Sequence, residues 1–245
     1  MLLTSQVYQF SRWRGTGPWG ANVFLLVGDT LTLVDTGFKG RLVHILKELA
    51  RLGHSPADVT DIVITHHHAD HTGSLASLKE VTRGRVAAHP ADAPYIDGHL
   101  PQPGPARPDW LGGSLTLLHS LWETVPVAVD ALLNDGDELP VAGGVRVIHT
   151  PGHTPGSISL YLKTKKLVIV GDLLSNTRGL SLPSRAFTTD PGREIESVKR
   201  LAALDFDMIC FGHGLPIKHH AREAILDFTR RIERKYLKTG IRSQE

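Results

Sequence analysis

The sequence predicts an α/β protein in which two β-sheets pack together and helices flank them. Three observations carry this. Short apolar runs of strand length come in two successive sets, one in each half of the chain. Each set is followed by segments whose apolar residues recur at helical spacing. The chain has 245 residues, 41% of them apolar, which is enough to bury one sizeable core without disulfides or other staples.

In the first half, Val7 to Phe10 is a short candidate strand. Asn22 to Val27 and Leu31 to Asp35 are apolar runs joined by Gly28, Asp29 and Thr30, as expected of a hairpin. Arg41 to Leu52 has apolar residues at 42, 45, 46, 49 and 52 and ends at Gly53, which predicts a helix. Val59 to Thr65 reads as a buried strand, followed by a helix from about Asp70 or His71 to Leu78. Val86 to Ala88 is another short strand. The stretch from Pro90 to Leu133 differs: it holds seven of the fifteen prolines and shows no clean alternation. It is too apolar for a flexible linker, so it is expected to be an insertion of loops and short helices over one face of a single domain spanning 1–245.

The second half repeats the theme. Val145 to Thr150, Ser157 to Leu162 and Leu167 to Gly171 look like strands, the last two joined by the turn at Lys163 to Lys166. Asp190 and Pro191 make a cap followed by proline at the first helical position, starting a helix to Leu204. Asp207 to Phe211 is a strand, and Ala221 to Lys238 a C-terminal helix.

Composition excludes several classes. The net charge is +2 and no long basic run occurs, so neither a nucleic-acid nor a membrane surface is implied, and a small-molecule substrate is the expected partner. Cys210 is the only cysteine, so no intramolecular disulfide can form. The N-terminal segment MLLTSQVYQF does not have the pattern of a signal peptide, and both features favour the cytoplasm. The 14 histidines outnumber phenylalanine and tryptophan together, and histidine is the commonest metal ligand.

Their placement carries the chemistry. His66, His67, His68, Asp70 and His71 form an H-x-H-x-D-H pattern where a buried strand ends. Residues two apart on extended backbone face the same way, so His66 and His68 can grip one cation. The following turn into a helix can swing Asp70 and His71 toward a second. A polar loop at a helix start accounts for one histidine, but not for four potential ligands in six residues. Three later positions share the setting. His153 lies in Thr-Pro-Gly-His-Thr-Pro-Gly after one strand, Asp172 follows Gly171 after another, and His213 lies between Gly212 and Gly214 after a third. Imidazole and carboxylate donors suit zinc, iron or manganese. Cys210, inside Met-Ile-Cys-Phe, reads as core rather than nucleophile.

These motifs, in this order over roughly residues 20 to 215, resemble the metallo-β-lactamase superfamily. The resemblance implies a four-layer αβ/βα sandwich holding two divalent metal ions, zinc first and iron or manganese as alternatives. It implies that His66, His68 and His153 hold one metal, that Asp70, His71 and His213 hold the other, and that Asp172 bridges both. Asp70 and Asp172 then count as catalytic as well as metal-holding. Asp35, in Leu-Val-Asp-Thr-Gly, matches an aspartate that supports the site without binding metal, and His67 falls at a variable position outside the ligand set. The implied reaction is hydrolysis by a hydroxide held between the two metals, on small carboxylic esters or thioesters as in glyoxalase-II-like enzymes.

Alternatives remain open within the resemblance. Many acyl-homoserine lactonases carry a tyrosine where this chain has Ser175. Glyoxalase II has a longer C-terminal helical region than the roughly thirty residues after His213. Sulfur dioxygenases use a similar ligand set with a single iron. A non-catalytic binding module would lack a ligand, and none is missing. Tyr95, Trp110 and Trp122 in the 90–133 stretch are candidates either to cap an apolar substrate or to pack the insertion. Arg178, Arg185 and Phe187 lie in the 175–189 loop, where an arginine fork can hold a carboxylate.

Overall fold

A computed structural model describes residues 1–10, 20–103 and 124–239. Seven strands form the first sheet in sequence order: β1 (Leu2–Thr4), β2 (Val7–Phe10), β3 (Val23–Val27), β4 (Leu31–Val34), β5 (Val59–Val63), β6 (Arg85–Ala88) and β7 (Ala131–Leu132). Pairing is antiparallel from β1 to β4 and parallel from β4 to β7. The second sheet has the order β12-β11-β10-β9-β8. Its strands are β8 (Glu138–Leu139), β9 (Val145–His149), β10 (Ile158–Leu162), β11 (Leu167–Ile169) and β12 (Met208–Cys210). There β11 and β12 run parallel, and the other pairs are antiparallel.

Strand β3 shows why two sheets stack between helices. It is apolar at every position because both faces are covered. Phe24 and Leu26 point into the core between the sheets, against Val147, Leu160 and Ile169. Leu25 points the other way, into a core shared with Ile45 and Leu49 of α1 (Leu42–Arg51) and Leu75 and Leu78 of α3 (Leu75–Thr82). On the far side, Val168 and Ile209 pack against α5 (Pro191–Ala202) and α6 (Ala221–Thr239) through Val198, Leu201, Ile225 and Phe228. The result is the expected order of layers: helices, sheet, sheet, helices. Each large apolar side chain buried this way contributes about 1.5–3 kcal/mol. The cap on α5 is as expected, with the Asp190 carboxylate accepting from the amides of Gly192 and Arg193.

Several expectations are corrected. The helix expected from residue 70 to 78 is two: α2 (Ala69–Thr72) and α3. Between them, Ser74 Oγ accepts from the Arg41 amide at 2.9 Å and donates to Phe38 O at 2.8 Å, and such side-chain bonds compete with a continuous helix. The 90–133 stretch is not wholly an insertion. Its end returns as β7, pairing Ala87 with Ala131, and its start carries α4 (Ala93–Ile96). Trp110 and Trp122 lie outside the described residues. The edge strands β1, β7 and β8 are only two or three residues long, too short to leave a periodic pattern. Among the described residues, no helix is long and apolar enough to cross a membrane.

Candidate metal centre

The segments carrying the predicted site residues all leave strands at one end of the sandwich, where the two sheets meet. Hydrogen bonds lock them there: Ile158 N donates to Thr65 O at 2.9 Å, and Asn22 N to Gly212 O at 2.7 Å. After β5 the chain bends at Thr65, and His68, with extended backbone (φ −62°, ψ 148°), stands immediately before α2. His66 and His68 turn toward His153, while His67 turns to Asp92 and Tyr95. The first turn of α2 then presents Asp70 and His71. From the second sheet come His153 after β9, Asp172 after β11 and His213 after β12. Gly212 has to be glycine, because a Cβ there would collide with Asp172 Oδ1 and lie 2.8 Å from the His71 ring.

The seven residues fall into two groups, His66, His68 and His153, and Asp70, His71, Asp172 and His213. Within each, one potential donor atom per residue lies within 4.8 Å of the others. His68 Nδ1 and His153 Nε2 stand 3.0 Å apart. His213 Nε2 is 2.9 Å from Asp70 Oδ2 and 3.2 Å from Asp172 Oδ2. Asp172 lies between the groups, with Oδ1 3.3 Å from His71 Nε2 and Oδ2 3.7 Å from His153 Nε2.

Asp35 fixes which nitrogens face the centre. It is fully buried and sits at φ 61°, a left-handed conformation that aspartate tolerates better than most residues. Its Oδ1 accepts from Thr65 N (2.8 Å), and its Oδ2 accepts from Thr65 Oγ1 (2.8 Å) and His71 Nδ1 (2.7 Å). Having donated its hydroxyl proton to Asp35, Thr65 accepts from His66 Nδ1 at 3.1 Å. Both rings thus carry a proton on Nδ1 and turn Nε2 inward. This arrangement orients and strengthens metal-binding histidines.

Electrostatics separate the groups. Burial, reinforced by the neighbouring imidazoles, holds His66 and His68 well below the ordinary histidine range, and burial lowers His153 to about 4. For His71 burial acts in the same direction, but Asp172, Asp35 and Asp70 outweigh it and raise the ring well above that range. His213 goes up to about 10, because Asp172 and Asp70 outweigh burial. Asp172 is held well below the carboxylate range by His213 and His71, against its burial.

The chemistry of this set fits metal ions. His66 Nε2, His71 Nε2 and Asp172 Oδ1 are buried and hydrogen-bond to nothing among the described residues, although leaving such groups unsatisfied costs about 1–3 kcal/mol each. Five imidazoles and two carboxylates converging at the meeting of two sheets supply the nitrogen and oxygen donors that zinc, iron and manganese take.

A family model, the metallo-beta-lactamase superfamily, matches residues 16–213. The chain belongs to that superfamily. The probable metallo-hydrolase YflN of Bacillus subtilis is 30% identical over 204 residues, covering 77% of this chain and 76% of YflN. A hydroxyacylglutathione hydrolase of Pseudomonas savastanoi pv. phaseolicola is 36% identical over 164 residues, covering 65% of this chain and 49% of that enzyme. The chain thus spans about half the length of that enzyme. Among solved structures, a metallo-beta-lactamase family protein of Thermus thermophilus superposes with a TM-score of 0.73 at 26% identity, covering 97% of this chain and 82% of that one. The subclass B3 metallo-beta-lactamase BJP-1 of Bradyrhizobium japonicum gives 0.69 at 20%, covering 98% and 92%, and at that identity shares the fold alone. As a member of the superfamily with metallo-hydrolase relatives, the chain is a metal-dependent hydrolase.

The fold also brings in residues that the sequence left unassigned. Thr65 links Asp35 to His66. Thr188 Oγ1 lies 3.4 Å from both His153 Nδ1 and Glu194 Oε1. Glu194, buried on α5, is raised to about 8 by burial. Phe187 of the 175–189 loop sits edge-on to His68, with ring centroids 6.1 Å apart. Arg178 and Arg185 are exposed. Tyr95 stacks on His67 with centroids 4.5 Å apart, so its ring packs against a buried residue next to the first donor group. Cys210 lies in the core between the sheets, where burial pushes its thiol up, away from nucleophilic use. The signals pointing to Thr65 and Glu194 are a threonine beside a histidine run and an acidic residue on the apolar face of a helix. Both are too common to select by sequence alone.

Proposed function

We propose that this protein is a dinuclear metal hydrolase acting on small carboxylic esters or thioesters, with zinc as the metal. The observation that carries the reading is the pair of adjoining donor groups with Asp172 between them. His66, His68 and His153 would hold one ion and Asp70, His71 and His213 the other, with Asp172 shared. Two divalent ions so held supply an activated water and a Lewis-acid contact for an acyl oxygen. The chain's own residues do the rest. Asp35 and Thr65 keep the imidazole protons on the outer nitrogens. Asp70 and Asp172 bring negative charge to the place where that water would be held. The identity to hydroxyacylglutathione hydrolases favours a thioester among acyl substrates.

The test is metal analysis of protein purified without added metal, together with turnover of a panel of thioesters, lactones, β-lactams and phosphodiesters. Two zinc ions per chain and preferential thioester or ester turnover are expected. A single iron, with oxygen consumed on persulfide substrates, would replace the hydrolase reading with a sulfur dioxygenase.

A further inference from the structure

Asp92 lies in the segment that the sequence marks as an insertion, yet it is 1% exposed and touches both loops that carry the all-histidine group. Its Oδ2 accepts from the His67 amide at 2.9 Å and from Thr154 Oγ1 at 2.7 Å, and lies 3.0 Å from His67 Nδ1. Its Oδ1 accepts from the Gly156 amide at 2.7 Å. His67 stands between His66 and His68, and Thr154 and Gly156 follow His153 closely. One carboxylate therefore joins the two backbones that bring His68 Nδ1 and His153 Nε2 to 3.0 Å. Burial alone would raise Asp92, but its bonds from His67 and Thr154 outweigh this and hold it below the usual carboxylate range.

Gly156 is fitted to the same contact. A Cβ there would lie 2.6 Å from both Asp92 N and Asp92 Oδ1, so any larger residue would push the loop off the carboxylate. The rest of the segment reinforces the grip on His67. Tyr95 stacks on its ring, and Gln102 Nε2 donates to its carbonyl at 3.0 Å. Asp92 thus does for the first donor group what Asp35 does for the second, except that it acts on backbones and neighbours instead of on a ligand ring.

We propose that Asp92 is a positioning residue that sets the separation of the His66/His68 loop from the His153 loop, and so tunes the affinity and geometry of the metal held by those three histidines. This rests on the two-group metal reading given above. Asp92→Asn is the sharpest variant, because it keeps the shape but turns one oxygen into an amide donor. Whichever way the amide faces, one backbone amide, that of His67 or that of Gly156, meets donor against donor and loses its bond.

Purified metal-loaded protein is stripped stepwise with a chelator and refilled with cobalt(II), whose ligand-field absorption reports coordination geometry. His66→Ala serves as the control for the reading itself. In Asp92→Asn, one of the two ions should bind about 10–100-fold more weakly, with a shifted cobalt spectrum, while the other keeps its affinity. Thr154→Val, which removes the hydroxyl's bonds to Asp92 and Ser157 but leaves Asp92 its bonds from the His67 and Gly156 amides, should give a smaller change of the same kind and guards against a folding failure in the first variant. A lower melting temperature with both affinities and the cobalt spectrum unchanged would reduce Asp92 to a structural residue and overturn the proposal. If His66→Ala takes up cobalt like the parent protein, the metal assignment fails and takes the proposal with it.

Discussion

The two donor groups lie side by side but solve different electrostatic problems. The first is three imidazoles with no carboxylate of its own, and its rings are driven neutral by burial and by one another. The second mixes two imidazoles with two carboxylates, and its rings are driven toward the charged form. Without metal, both groups keep buried atoms with no hydrogen-bond partner among the described residues, His66 Nε2 in the first and His71 Nε2 and Asp172 Oδ1 in the second, but only the second has carboxylates whose charge the protons on its rings can balance. The lesson is that ligand identity alone does not set how a site waits for its metal, because the neighbouring charges decide what the metal must displace.

Asp172 is where the comparison can be broken most severely, since it touches both groups. Asp172→Ala should cost more than the roughly 10–100-fold typical of outer partners of metal ligands, in turnover and in affinity for the second metal. Retention of two metals and near-parental turnover, measured by elemental analysis and steady-state kinetics, would show that the groups do not share a ligand. Asp35→Asn acts mainly on one side. An asparagine amide can donate to His71 Nδ1 and push the ring proton to Nε2, the nitrogen that faces the centre. The second metal should weaken by about 10–100-fold. The first should weaken less, since Asp35 reaches His66 only through Thr65. Equal losses at both sites in a chelator competition would mean that the Thr65 relay matters as much as the direct bond.

Protons sharpen the contrast with the smallest signal. His213, raised to about 10 from an ordinary value near 6.5, adds stability to the metal-free protein that is fully present below pH 6.5 and lost as the pH rises through about 10. At pH 7 a metal entering the second group must therefore expel protons from His213 and His71, and its affinity should fall as the pH drops. His153, lowered to about 4, is already neutral at pH 7, so filling the first group expels none. Calorimetric titration of metal-free protein in buffers of different ionisation heat should show one binding step that releases protons and one that does not. Equal release from both steps would contradict the assignment of charges.

Much of this was legible in the sequence because period and placement are local. The two-residue repeat of His66 and His68 on extended backbone, and the glycine-flanked His153 and His213 at strand ends, announce themselves within a few residues. Strand β3 was readable for the same reason, through an apolar run bounded by turn residues, and β5 through Ile62, Val63 and Ile64 leading into the histidines. Asp92, Thr188 and Glu194 were not readable, because their meaning comes only from partners 25 to 64 residues away for Asp92, and from a loop closing on His153 for the others. His67 illustrates both sides. Its place outside the donor groups follows from alternation, but its burial between Asp92 and Tyr95 needs the folded chain.

The strand-end placement of the donors has a consequence for how the molecule comes apart. Four of the seven follow β5 of the first sheet, and three follow strands of the second. A cation held by either group would be bound by the assembled sandwich and by neither half alone. Each tenfold rise in free metal above the dissociation constant then adds about 1.4 kcal/mol to the work of separating the sheets for each ion bound. The endurance of the protein would accordingly follow the metal supply of its surroundings as well as its apolar core, and starvation for metal would act on its lifetime before it acted on any substrate.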